Sequence, residues 1–251
     1  FGALGAVTTV GSLTGIGYQA GAANTSGVDN VYIGYQAGTA VTTGAYNVII
    51  GNAAGDAQTT ASHSTFVGFG AGSAVTTGGN NTIMGSHAGD ALTSGSGNVA
   101  IGDSALGAQT TATNNVAIGY NAAQVNDTGD GFVVIGYRAG ASLTAGSTLN
   151  TFVGYESGDA TTTGDENTFI GAHAGGANTT AGSNTAVGKS ALGANTTGSG
   201  NVAMGKGALA ANTTGANNTA VGLESGVAIT TGDNNTIVGY AAGTTLTTGG
   251  A

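Results

Sequence analysis

The chain has no cysteine, no proline and no tryptophan, and only 3 of its 251 residues are Lys or Arg. Without cysteine there is no disulfide framework and no thiolate chemistry. Without proline every residue keeps a backbone N–H, as a chain made of continuous hydrogen-bonded ladders requires. The formal net charge of −9 rests on 12 acids against Lys189, Lys206 and Arg138. A duplex-binding face needs clustered Lys and Arg, so nucleic acid is excluded as an expected partner. No apolar run reaches the length of a membrane helix, and no charged-then-apolar signal segment opens the chain, so no membrane insertion is expected. Charged residues are 6% of the chain, where roughly a quarter is usual.

Glycine is abundant instead, at 50 residues, with hydrophobic residues at 40%. Glycine in such excess without a period would read as disorder. Here the period is strict. NVAIG occurs at 98–102 and at 115–119, and every seventeenth residue around those copies is a glycine preceded by Ile, Val or Met. These marker glycines run from Gly17 to Gly136 and from Gly154 to Gly239; only the step from Gly136 to Gly154 is eighteen residues. A fixed period of this length is the signature of a stacked repeat. The fold class predicted is all-β: a β-solenoid of β-roll or β-helix type with seventeen-residue turns. Residues 1–251 read as a single repetitive segment of nearly fifteen turns. FGALGAVTT at 1–9 matches KSALGANTT at 189–197, so the chain opens inside a repeat and is expected to belong to a longer fibre.

Within each turn the residue before the marker is aliphatic or Met, the residue three before is Val or Thr, and the residue four before is Asn in most turns. β-branched residues at alternate positions point to one face of a short strand, and this face is expected to form the core. The position between them, two before the marker, is also apolar: Tyr32, Ile49, Phe66, Ile83, Val134, Phe152, Phe169 and Ile237, with Ala in other turns. A thin solenoid has one inside, so a strand apolar on both faces needs a second cover. These eight residues are therefore the expected interchain face of an oligomer. Small residues three, four and six after the marker imply close backbone packing. Thr recurs eight residues after it, and nine after it is Thr, Ser or once Ala145. A second strand, typified by ALGANTTG at 191–198, is expected to close on a glycine turn. Asn above Asn and Thr above Thr should form ladders. The eighteen-residue step is placed near Leu149, at a corner.

Familiar site patterns occur only as by-products of the period. GSNTAVGKS at 182–190 has one residue too many for a phosphate loop, and in GNVAMGK Gly207 stands where a hydroxyl should hold Mg²⁺. Sequons at Asn81, Asn195 and Asn212 repeat with the turns. His63, His87 and His173 lack metal-ligand spacing. Acids recur at two corners, and Asp159, Asp165 and Glu166 form the one candidate weak cation site, with solvated carboxylates as the simpler account. No catalytic constellation, cofactor or metal is predicted.

The NVAIG and NTAVG strands resemble the head repeat of trimeric autotransporter adhesins, an Asn- or Ser-led Val-Ala-Ile-Gly. The YQAG and LTTG elements, Tyr35 to Gly38 and Leu246 to Gly249, are similar to the Gly-rich repeat of bacteriophage tail fibres and fibrous surface proteins. The resemblance covers all fourteen marked turns. It implies a homotrimeric shaft, on a virion or at the cell surface. It also implies that a host or cell-surface receptor, a glycan, is bound through regions outside the repeats. The adhesin repeat is shorter than seventeen residues. Two other functions fit a solenoid: an ice- or water-ordering surface on the Thr columns (Thr42 with Thr43, Thr76 with Thr77), and a polysaccharide-degrading tailspike, which needs a carboxylate cluster in a groove.

Overall fold

The structure, a computed structural model, describes residues 2–9, 11–144 and 146–248. Phe1, Ala145 and Gly249 of the repeat pattern lie outside them. Among the described residues the fold is all-β with no helix, a parallel β-solenoid whose strands recur at seventeen-residue spacing. The chain forms two compact units, Phe1–Thr128 and Gly129–Ala251. The first carries β1 (Leu13–Ile16), β2 (Asn30–Ile33), β3 (Val48–Ile50), β4 (Thr65–Val67), β5 (Thr82–Met84), β6 (Val99–Ile101) and β7 (Val116–Ile118). The second carries β8 (Val133–Ile135), β9 (Thr151–Val153), β10 (Thr168–Ile170), β11 (Thr185–Val187), β12 (Val202–Met204), β13 (Thr219–Val221) and β14 (Thr236–Val238). In each unit every strand pairs in parallel with the next, equivalent residue on equivalent residue, as Tyr32 on Ile49 and Phe152 on Phe169.

Each turn holds one strand, where two were expected. The stretch after the marker still bonds turn to turn, as Leu192 N–H to the Ala208 carbonyl at 2.9 Å and Thr196 N–H to the Thr213 carbonyl at 2.8 Å. It coils because the residues two and four after the marker are left-handed, as at Ser190 (φ 55) and Leu192 (φ 53). An extended ladder cannot run through such residues.

The marker glycines have φ between 128 and 141, which only glycine adopts without strain. They are also where successive turns touch. A Cβ on Gly102 would lie 2.6 Å from the Gly119 carbonyl oxygen, and one on Gly154 would lie 2.6 Å from that of Gly171. Conformation and contact each forbid a side chain, so the glycine never varies.

The strand faces are the reverse of the expectation. Tyr32, Ile49, Phe66, Ile83, Val134, Phe152 and Phe169 are completely buried within one chain, and Ile237 is 9% exposed. They form the core and are not an interchain face. The β-branched residues on either side of them point outward. Strand parity gives the reason. The Asn four before the marker and the residue two before it share a face. That Asn is buried, so the residue two further on is buried with it. Asn47 donates its amide N–H to the Ala61 carbonyl (2.9 Å) at the corner, and its Oδ1 accepts the Ser64 N–H (3.0 Å) of the next turn. Asn167, Asn184, Asn201 and Asn218 repeat the second bond. The ladder thus runs mainly from amide oxygen to backbone, whereas amide-to-amide bonds link Asn178, Asn195 and Asn212 in a second column. Outside these, the Thr eight after a marker donates its hydroxyl to the carbonyl of the Thr above, as Thr76 to Thr93 and Thr196 to Thr213, except that Thr110 donates to the Asp127 carboxylate at 2.7 Å.

The interior trades volume between two positions in most turns, the exceptions being Gly15 with Gly21, Ala117 with Ala123 and Ala220 with Gly226. Where the inward strand residue is Tyr32, Phe66, Phe152 or Phe169, the residue four after the marker is glycine. A Cβ on Gly55 would come 2.7 Å from the Phe66 ring, and one on Gly158 2.7 Å from the Phe152 ring. Where the inward residue shrinks to Ala100, Ala186 or Ala203, that position becomes Leu106, Leu192 or Leu209, all fully buried. These leucines keep a left-handed φ of 51 to 54, which costs about 1–2 kcal/mol each, offset by the space they fill. The eighteen-residue step is absorbed at a corner close to Leu149, as expected. Thr144 bonds Thr162, eighteen residues on, whereas Ser147 bonds Gly164, seventeen on. The extra residue therefore falls between Thr144 and Ser147, ahead of Leu149, and the strand register of β8 on β9 survives it.

Two outcomes are expected. Ala203→Phe alone should destabilise by about 1–3 kcal/mol through overpacking, and adding Leu209→Gly should recover most of that loss. Denaturant unfolding of both single variants and the double variant reads the coupling; strict additivity would contradict the volume trade. Asn201→Leu, which strips the Asn218 N–H of its partner and takes one of two donors from the Gly215 carbonyl, the other being the Asn212 amide, should cost about 1–3 kcal/mol in the same measurement.

Candidate functional site

With the middle of each strand turned inward, its flanking residues define the outer sheet face. One column runs Val31, Val48, Thr65, Thr82, Val99, Val116 in the first unit; the other runs Ile33, Ile50, Val67, Met84, Ile101, Ile118. The second unit repeats them from Val133 and Ile135 onward. No charged residue interrupts either column. Most members are half-buried by their neighbours above and below, and Met84, Ile170, Met204 and Val238 are exposed at 39% to 70%. Sequence reasoning found the apolar double face and assigned its sides the wrong way round. The available signal was the buried-corner role of the Asn.

An aromatic column borders this face, one residue after the marker. Tyr18 stacks on Tyr35 (centroids 5.2 Å apart, 15° between planes), and Tyr137 on Tyr155 (5.1 Å, 10°). All four are about half exposed. Rings at this separation and offset gain modest stacking energy beyond area burial. Lys189 and Lys206 occupy the same column in successive turns and are exposed, with the extended strand and coiled corner of every other turn around them. No helix follows to form a phosphate loop.

The acids are largely accounted for by backbone chemistry. Asp165 Oδ1 accepts the Thr148 N–H at 2.7 Å, and Asp233 Oδ1 the Ala216 N–H at 2.7 Å. In this corner column a short side chain with an acceptor thus serves the N–H of a neighbour that has none, as Ser62 serves Ala45, Ser96 serves Gly79, Ser199 serves Gly182 and Asp233 serves Ala216. Glu166 accepts the Ser183 hydroxyl at 3.3 Å. The proposed trio of Asp159, Asp165 and Glu166 is thus split: Asp165 and Glu166 are engaged at one corner, and Asp159 lies at the other. Among the described residues no three His, Asp or Glu gather as a metal-binding group. His173 Nδ1 lies 3.4 Å from Glu156 and its ring meets Tyr155 edge-on; His63 stacks on Tyr46 and His87 meets Phe69. The sequon asparagines Asn81, Asn195 and Asn212 are fully buried ladder members.

Burial pushes the carboxyls of Asp56 and Asp159 up, the latter helped by neighbouring Glu156. Glu156 also raises the Tyr155 hydroxyl, and burial raises that of Tyr32 to about 12 against the Asn24 hydrogen bond.

No family model matches the chain, and neither a curated protein nor a solved structure does.

A carboxyl raised by folding binds its proton more tightly folded than unfolded. Its ionisation therefore costs stability as pH climbs from the ordinary carboxylate range through the raised value. Asp56→Asn should raise the thermal midpoint at pH 7 and leave it unchanged at pH 3. Equal shifts at both pH values would mean the carboxylate charge is not responsible.

Proposed function

We propose that the chain is a structural fibre shaft, homotrimeric, in a phage tail fibre or a related extracellular adhesin. The observation that carries this reading is the uncharged apolar outer face, continuous in each unit. Seven strands at about 4.8 Å, across the two outer columns, make a strip of roughly 34 by 10 Å in each unit. Exposed apolar surface of that extent marks an interaction site. A partner that matches a face repeating at every turn must itself repeat at every turn, and a second copy of the chain does so. Three chains is the number that the resemblance to trimeric adhesins and tail fibres implies.

The shaft's work is mechanical. Turn-to-turn hydrogen bonds and interchain burial would hold a receptor-binding tip away from a virion or cell, with the glycan receptor met outside the repeats. This reading gives the repeats no catalytic step and no cofactor. The Thr columns offer less to ordered water than their sequence suggested, because the inner hydroxyls donate their hydrogens to carbonyls along the stack.

Light scattering of the 251-residue chain should give three times the chain mass. The pair Ile50→Lys with Ile101→Lys should yield a folded monomer by the same measurement combined with circular dichroism. A wild-type chain that stays monomeric at high micromolar concentration would refute the oligomer.

A further inference from the structure

The first unit departs from its own repeat along one flank. Five residues after the marker the column reads Ala22, Thr39, Asp56, Ser73, Asp90, Gly107, Gln124. The residue after each is Ala from Ala23 through Ala108, then Val125. Between Asp90 and Gln124 the missing side chain of Gly107 opens a groove of about 360 Å³, lined by Asp90, Ser104, Gly107, Ala108, Gln124 and Val125. That volume lies in the range of small-molecule sites.

Oxygens converge on it. A Cβ placed on Gly107 would lie 3.3 Å from the Ser104 carbonyl oxygen and 3.8 Å from both Asp90 Oδ1 and the Gln124 carbonyl oxygen. The last already accepts the Ala108 N–H at 2.9 Å. The Ser104 hydroxyl donates to Asp103 Oδ1 at 3.0 Å, so its own oxygen is left as an acceptor. The Gln124 side-chain amide can donate and accept. Opposite these, Val125 is 46% exposed and, with Ala108, supplies an apolar wall. An aspartate over a glycine recurs at Asp159 and Gly176, where the aspartate oxygen and the His173 carbonyl stand in the same places. The turn after it has Gly193 and Ala194 in place of Gln124 and Val125. The amide and the wall are therefore particular to the first unit.

We propose that this groove binds one pyranose ring of a neutral glycan. The acceptors need a ligand rich in O–H donors, and the wall needs an apolar C–H face; a sugar ring carries both. An anion is disfavoured by the carboxylate, and no Lys or Arg is among the residues that line the groove. A lone cation would meet a single half-buried carboxylate, Asp90, in a groove open to water, which holds it weakly. The site is independent of the oligomeric state and lies within the repeats, apart from any tip.

The test is saturation-transfer NMR of the 251-residue chain with glucose, galactose, mannose, N-acetylglucosamine and glucosamine. At least one neutral sugar should bind with millimolar affinity, unaffected by salt. Gly107 lies outside the left-handed region, so Gly107→Ala fills the pit without backbone strain. Val125→Ala restores the residue of the other turns and must fold. Each, and Asp90→Asn, should weaken binding roughly tenfold or more with an unchanged thermal midpoint. Absence of binding by any neutral sugar, equal binding by all three variants, or salt-sensitive binding of glucosamine alone would overturn the proposal. A monomer that still binds sugar would separate this site from the trimeric shaft.

Discussion

Every turn lays its backbone directly on the next, and the marker glycine is one of the places where the two approach closely. This contact sets the rest. With φ near +135 and a neighbouring carbonyl where a side chain would be, the position admits nothing but glycine. Its fixed recurrence holds equivalent residues above one another. Each column then behaves as a single chemical unit: Asn oxygen to N–H, Thr hydroxyl to carbonyl, ring on ring. The chain needs few charges because polar groups are satisfied along the stack.

A stack so regular tolerates variation only where the variation is compensated nearby. Leucines take a left-handed backbone beside Ala100, Ala186 and Ala203, and glycine returns beside the aromatic rings. The extra residue between Thr144 and Ser147 is confined to a corner, and pairing of the flanking strands is unchanged. Corners are also where chemistry can diverge. Gly107, Gln124 and Val125 change the surface without touching the core columns. The same separation suits the proposed fibre: an interior whose changes are compensated locally, and flanks free to vary.

The architecture was legible because it is one-dimensional. A strict period, no proline, and β-branched residues before each glycine require stacked strands whatever their handedness. The site was less legible. Alternation says that two faces differ, and it does not say which one is inside. Tyr32 and Phe66 resembled an exposed seam because the flanking Val and Ile are as apolar as a core. The groove at Gly107 was invisible, since a glycine in a glycine-rich chain carries no signal until its neighbours in the adjacent turns are known.

By itself the sequence determined the period, the position of the strand before each marker glycine and the all-β class, because these follow from local conformation repeated at constant spacing. The tertiary structure decided which strand face is the core, how the second half of each turn coils, and between which residues the extra one lies. Those depend on side chains meeting across turns: Asn47 reaching the Ala61 carbonyl commits one parity of the strand to the interior, and no residue read alone contains that choice.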